Sequence, residues 1–186
     1  MQLFGKPNRY TLFYYFILKT LPTPQRLSRF CFSYHSPRFH ALVDRMSCYV
    51  NKPEFGIECV TKVVDAAIEN GVYVIIDWHS HNLRQEEAKE FFTQMATRYK
   101  GVPNVIYEVF NEPVEDSWEQ VKSYSVEVIK TIRAIEPDAV ILVGCPHWDQ
   151  DIHLAADDPI TGYSNIMYTL HFYANTHGQW LRDHIK

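Results

Sequence analysis

Hydrophobic residues follow two different spacings along the chain from residue 55 onward. Three stretches carry apolar residues at helical spacing, and they cover residues 55–70, 84–100 and 117–135. Short β-branched runs predict strands that begin near Val72, Val105, Val140 and Ile166. Each interval between these strands has room for one crossover helix, so the pattern predicts a parallel β/α sheet. A doubly wound sheet and a (β/α)8 barrel both fit this order.

The amino-terminal part of the chain has no steady hydrophobic period. The apolar run 10–18 has the outline of a signal-peptide core, but no small-x-small cleavage motif follows it. We therefore predict two parts. Residues 1–40 form an atypical segment of uncertain structure, and residues 41–186 form one β/α domain.

Composition narrows the possible partners of the chain. A net charge of −4 over 186 residues provides no basic surface, so nucleic-acid binding is not expected. No stretch reaches the ~18–20 apolar residues of a membrane span. Aromatic residues make up 15% of the chain, which suits either sugar binding or a well-filled core. The four cysteines are spaced neither as a zinc site nor as a disulfide framework, so free thiols are predicted.

Polar and aromatic residues follow each of the four predicted strands. The four groups are Asp77–His81, Asn111–Pro113, Gly144–Trp148 and His171–Tyr173. Parallel strands bring all of their carboxyl ends to one face of the sheet, where the active sites of such folds form. The sequence therefore predicts a functional site at this face.

Glu112 is the candidate for acid–base chemistry at that site. A carboxyl group at a strand end among bulky neighbours is partly desolvated, which favours its protonated form. A neutral carboxylic acid can protonate a leaving oxygen. The neighbouring Asn111 offers an amide for a substrate hydroxyl, and Pro113 ends the strand.

Four segments resemble the endoglucanases of glycoside hydrolase family 5, which are secreted cellulases built as (β/α)8 barrels. The segments are VYVIIDWHSH, NVIYEVFNEP, VILVGCPHWDQDI and NIMYTLHFYANTHGQWLRD. They stand in the order of that family's third to sixth strand regions, and the match is close from about residue 52 to residue 186. The resemblance implies an extracellular, retaining endo-β-1,4-glucanase that needs no metal and no cofactor.

The resemblance also implies roles for individual residues. Glu112 corresponds to the general acid/base, and Asn111 corresponds to the residue that binds the sugar 2-hydroxyl beside the cleaved bond. Trp148 corresponds to a stacking platform. The substrate-binding residues implied in this way are His79, Asn111, Trp148, His171 and Tyr173.

Part of the family's site has no counterpart in the sequence. The family's nucleophile is a glutamate at the end of strand seven, whereas this chain ends at Lys186, shortly after the sixth strand region. The arginine that the family carries on strand two is not recognisable either. We therefore expect about strands two to six of a barrel, as an open arc with exposed strand edges. We hypothesise that the sequence is a gene fragment.

Other readings stay open at this point. His79, His81 and His171 could together bind a divalent ion in a metal-dependent hydrolase. A carbohydrate-binding remnant without catalysis would need no nucleophile. Asp77, Asp149 and Asp151 are the candidates by position for a substitute nucleophile. Cellulose, mixed-linkage glucan and mannan are all possible substrates, and the sequence predicts no oligomeric state.

Overall fold

The computed structural model describes residues 12–18, 46–173 and 177–184. The strands are β1 (Leu12–Leu18), β2 (Val74–Asp77), β3 (Val105–Glu108), β4 (Val140–Val143) and β5 (Ile166–Tyr173). The helices are α1 (Met46–Asn51), α2 (Pro53–Glu69), α3 (Gln85–Arg98), α4 (Trp118–Arg133), α5 (Pro146–Asp149), α6 (Ile152–Asp157) and α7 (Gln179–Asp183). Most of the predicted segment 1–40 lies outside the described residues.

The five strands form one sheet in the order β1-β5-β4-β3-β2. Strands β2 to β5 run parallel, with Val74 opposite Val105 and Ile141 opposite Ile166. This confirms the parallel β/α pattern predicted from the sequence. Strand β1 pairs antiparallel with β5, so part of the segment expected to have uncertain structure contributes an edge strand.

Two of the long helices show a local sequence signal where they begin. Helix α4 starts with a capping box, in which the Ser117 hydroxyl accepts from the Gln120 amide and the Gln120 side chain accepts from the Ser117 amide. Helix α2 starts at Pro53, whose missing N–H costs nothing at that position. The chain after α2 turns through Gly71 at a φ of 64°, which favours glycine.

Aromatic side chains fill much of the core. Tyr49, Trp78 and Phe91 contact one another with ring centroids 5.2 to 5.7 Å apart. The core accounts for much of the high aromatic content, while Trp148 and Tyr173 are exposed at the strand ends. Val63 is an exception among the apolar residues at helical spacing in α2, since its side chain is 39% exposed. Consecutive residues of a helix are rotated by about 100° around its axis, so Val63 faces away from the sheet when the neighbouring Val64 faces the core.

The described helices include none that is long and apolar enough to cross a bilayer. Within the same residues, Cys145 is a buried free thiol, as predicted. The side chains of Cys31 and Cys48 lie outside the described part of the chain.

Candidate active site

The carboxyl ends of β2 and β3 are joined by hydrogen bonds that continue beyond the strands. The Trp78 amide donates to the Glu108 carbonyl at 2.9 Å, and the Asn111 amide donates to the Trp78 carbonyl at 3.1 Å. These bonds hold the residues after β2 beside the residues after β3. The segments that carry His79 and Glu112 are therefore adjacent, as parallel strands require.

Glu112 is held by two histidines. Its carboxylate Oε1 lies 2.8 Å from Nδ1 of His171, and its backbone carbonyl lies 3.0 Å from Nδ1 of His81. The His171 ring is buried, while the Glu112 side chain keeps partial access to solvent. Glu112 can therefore meet a substrate on one side and exchange a proton with His171 on the other.

The protonation state of Glu112 differs from the one predicted. Burial acts to raise the pKa of Glu112, but the hydrogen bond and the charge of His171, with smaller contributions from His81 and His79, lower it overall. Burial therefore acts in the predicted direction, but the histidines outweigh it, and the expectation of a neutral Glu112 is wrong for this arrangement. Glu112 is an anion paired with His171 in the absence of substrate.

His171 lies among three acidic side chains. Its Nε2 is 3.3 Å from Oδ2 of Asp149 and 3.8 Å from Oε1 of Glu108, on the ring edge opposite Glu112. Burial acts to lower the pKa of His171, but Asp149 and Glu112 raise it overall. Burial, together with the charges of Asp77 and Asp149, raises the pKa of Glu108 well above its usual range. The surroundings of His171 therefore favour the imidazolium form that pairs with Glu112.

Asp149 supports an unusual turn at the end of β4. His147, Trp148 and Asp149 all have left-handed backbone angles, with φ of 52°, 57° and 60°. Such angles cost roughly 1–2 kcal/mol per non-glycine residue. The Asp149 carboxylate offsets this cost by accepting from the Cys145 amide at 2.6 Å and from the Thr169 hydroxyl at 2.6 Å.

The same turn presents Trp148 to solvent. The Trp148 amide donates to the Pro113 carbonyl at 2.8 Å, which ties the turn to the segment that carries Glu112. The Trp148 side chain is 45% exposed. A Cβ on Gly144 would lie 2.3 Å from the Phe110 carbonyl, so only glycine allows the two strand ends to approach this closely.

Asn111 presents an unused donor at the site. Its side chain is 2% exposed, and its Nδ2 has no hydrogen-bond partner among the described residues. A buried amide donor without a partner is costly, and a ligand hydroxyl would satisfy it. Tyr173 is exposed at the end of β5 and stacks on His177 with the rings 6.1 Å apart.

His79 has a local carboxylate partner. Its Nδ1 lies 2.7 Å from Oδ2 of Asp77. Burial acts to lower the pKa of His79, but Asp77 and Glu112 raise it overall. Within residues 46–173 and 177–184, the groups able to share a metal ion include neither His79 nor His81. The reading as a metal-dependent hydrolase built on these histidines therefore has no support in the described part of the chain.

The candidates by position for a substitute nucleophile all have partners within the protein. Asp149 is fully buried and has its carboxylate oxygens bonded within the protein, and Asp77 pairs with His79. Asp151 contacts His147 in the turn after β4. The role of Asp149 in supporting this turn was missed, because left-handed angles at three non-glycine residues leave no clear signature in a sequence.

These strand ends match a known family. The family profile described as Cellulase (glycosyl hydrolase family 5) matches residues 41–184. The chain belongs to glycosyl hydrolase family 5. Its four parallel strands and their helices form about half of the family's (β/α)8 barrel.

Several relatives of this family 5 chain are endoglucanases. Endoglucanase Z of Dickeya dadantii is 50% identical over 138 residues, which are 73% of this chain and 32% of the relative. Endoglucanase A of Evansella cellulosilytica is 46% identical over 145 residues, which are 74% of this chain and 29% of the relative. The family 5 chain therefore spans about a third of the length of these relatives.

Solved structures agree with the family. A structure from Cytophaga hutchinsonii superposes with a TM-score of 0.71 at 45% identity, covering 74% of this chain and 46% of that one. The catalytic domain of Thermobifida fusca endoglucanase Cel5A superposes with a TM-score of 0.62 at 36% identity. That match covers 64% of this chain and 43% of the solved chain.

Proposed function

We propose that the protein takes part in the hydrolysis of β-1,4-glucosidic bonds, with Glu112 as the general acid/base of a retaining mechanism. The observation that carries the proposal is the Glu112 carboxylate, paired with His171 at 2.8 Å while its side chain keeps partial access to solvent. The family and the relatives named endoglucanase support the reaction class.

The pair of Glu112 and His171 can hold and release one proton. In the first step, a proton from this pair passes through Glu112 to the oxygen of the leaving sugar as the glycosidic bond breaks. In the second step, Glu112 takes a proton from the water that releases the bound sugar. The proton taken from this water restores the pair of Glu112 and His171 to its starting state.

A retaining mechanism needs a second carboxylate ~5–5.5 Å from the first. The two acids beside His171, Glu108 and Asp149, are buried and cannot contact a sugar. We therefore assign the nucleophile to none of the described residues. A carboxylate at that distance would raise the pKa of Glu112 by charge repulsion and would oppose the effect of His171. The completed site would thus hold Glu112 closer to the neutral acid than the described residues alone do.

We assign the binding of sugar to the side chains that surround Glu112. The free Nδ2 of Asn111 suits the hydroxyl beside the cleaved bond. The exposed rings of Trp148 and Tyr173 suit the apolar faces of sugar rings, and His79 contributes a further polar contact. A solved Thermobifida fusca endoglucanase Cel5A holds cellotetraose, which supports β-1,4-glucan as the substrate class here.

We also infer that the protein works outside the cell. A polymeric glucan does not cross a membrane. An enzyme that cleaves bonds within such a polymer must therefore meet it outside the cell. The secretion of the family that the sequence resembles supports the same inference.

A second candidate function is sugar binding without catalysis. Glu108 and Asp149 beside His171 are both buried, so Glu112 is the carboxylate of this cluster that a ligand can reach. One accessible carboxylate suffices for binding, whereas a retaining mechanism needs two. The second candidate function keeps Asn111 and Trp148 as the binding groups.

The release of reducing ends from a soluble β-1,4-glucan tests the proposal. Wild type is compared with Glu112→Gln and with Glu115→Gln, which alters an exposed acid three residues away. We expect Glu112→Gln to lower the rate by about 10²–10⁴-fold, the usual contribution of a general acid. Glu115→Gln should stay within about twofold of wild type.

The other results are also informative. Binding of cello-oligosaccharides that Trp148→Ala abolishes, with no reducing ends released by wild type, would establish the second candidate. Neither hydrolysis nor binding by folded protein would contradict both functions.

A further inference from the structure

A second cluster of side chains lies between the start of α6 and the end of α7. Asp151 immediately precedes α6, His153 lies in the first turn of that helix, and His184 follows α7. One ligand atom from each of the three side chains lies within 4.8 Å of the other two. The cluster shares no residue with the pair of Glu112 and His171.

One histidine of this cluster has an unsatisfied nitrogen. The Nδ1 of His153 is buried and has no hydrogen-bond partner among the described residues. The ring centroids of His153 and His184 are 4.3 Å apart, with an angle of 53° between the ring planes. A buried polar atom normally has a partner, and a metal ion bound between the two rings would supply one to Nδ1 of His153.

The remaining contacts orient the other two ligands. The Nδ1 of His184 lies 2.9 Å from the Gln150 carbonyl and 3.8 Å from Oδ1 of Asp151. The other carboxylate oxygen of Asp151 contacts Nδ1 of His147. Metal ligands are typically oriented by hydrogen bonds of this kind from the surrounding residues.

We propose that Asp151, His153 and His184 bind one divalent transition-metal ion, with Zn²⁺ as the best match. Two imidazole nitrogens and one carboxylate oxygen form a common Zn²⁺ ligand set, with bond lengths of about 2.0–2.2 Å. A tetrahedral ion with such bonds needs ligand atoms about 3.3 Å apart, so small side-chain rotations close the cluster around it. The fourth position takes a water molecule or His147.

The ion would act as a structural link between two successive β/α units. It would join the start of α6 to the end of α7. The ring of Trp180 lies 5.7 Å from that of His184, so the link would also restrain this exposed tryptophan. The site has no part in acid–base chemistry, so its absence would leave the proposed hydrolysis mechanism unchanged.

Binding of Zn²⁺ to the full chain, measured by titration calorimetry after chelator treatment, tests the proposal. We expect one Zn²⁺ per chain, and affinity at least tenfold weaker in His153→Asn and in His184→Asn. His177→Asn is the matched control, since His177 lies near the same tryptophan but outside the cluster. It should bind Zn²⁺ like wild type.

Three results would overturn the proposal. These are no binding by wild type, unchanged affinity in both cluster variants, and binding that is lost instead in His171→Gln. The last would place the ion in the buried group of Glu108, Asp149 and His171.

A second measurement applies if a variant fails to fold by circular dichroism. Diethyl pyrocarbonate labelling of wild type is then compared with and without Zn²⁺ by mass spectrometry. Protection of His153 and His184 by Zn²⁺ supports the site, and equal labelling contradicts it.

Discussion

Replacing Thr169 with valine tests the network that supports His171 and the turn after β4. Thr169 and Asp149 are both 0% exposed, and the hydroxyl donates to Oδ2 of Asp149 at 2.6 Å. Valine keeps the side-chain volume, so the substitution removes a hydrogen bond without opening a cavity. A hydrogen bond to a charged group contributes about 1.5–3 kcal/mol, so we expect a loss of that size in the free energy of unfolding where Asp149 is charged.

This loss should depend on pH. Burial raises the pKa of Asp149 to about 7, despite the opposing effects of His171 and Thr169. Removing the hydroxyl disfavours the anion further, so the penalty is largest above that pH, where Asp149 is charged. Below it, Asp149 is neutral, and we expect about 0.5–1.5 kcal/mol, as for a neutral hydrogen bond.

Urea unfolding at pH 6 and pH 8 measures both values. Thr61→Val is the matched control, since Thr61 is also buried but its hydroxyl donates to the Ile57 carbonyl of the same helix. We expect it to change stability by less than about 1 kcal/mol at either pH. Equal effects of the two substitutions, or no dependence on pH for Thr169→Val, would refute the reasoning.

Two further predictions concern stability. The pKa of Glu112 is lowered and that of His171 is raised, so the pair stabilises the folded protein. This stabilisation is complete between about pH 4.3 and about pH 6.5, the ordinary pKa values of the two groups. It declines as the pH rises through the raised pKa of His171. Urea unfolding from pH 5 to 9 should therefore show the advantage of wild type over His171→Gln shrinking at alkaline pH, and a constant advantage would contradict this. Gly144→Ala should cost about 1–3 kcal/mol, because its Cβ would lie 2.3 Å from the Phe110 carbonyl. Gly178→Ala, whose Cβ would meet nothing nearer than 3.6 Å, should be tolerated in thermal unfolding, and similar melting temperatures for the two variants would disprove the steric argument.

The sheet and its long helices could be predicted because their signals are local. Each signal spans only a few consecutive residues, as in the apolar run of Val105–Glu108, the capping box at Ser117 and the glycine after α2. The approach of Glu112 to His171 could also be expected, since parallel strands bring their carboxyl ends together. Each of these features follows from short-range pattern or from strand direction.

The chemistry of the site depended on contacts between distant residues. The pKa of Glu112 is lowered chiefly by His171, 59 residues away, so an argument from burial alone had the wrong sign. The sequence does not reveal the supporting role of Asp149, because the Thr169 hydroxyl that binds its carboxylate lies on the next strand. The pairing of His153 with His184 joins two helices and leaves no local motif.

The most direct test of Glu112 as general acid is the dependence of the Glu112→Gln rate on the leaving group. Two cellobiosides are compared: one with a strongly acidic phenol, which leaves without protonation, and one with a weakly acidic alcohol. We predict that kcat/KM falls by about 10²–10⁴-fold for the alcohol and by much less for the phenol. An equal loss for both substrates would contradict the assignment of Glu112 as the acid.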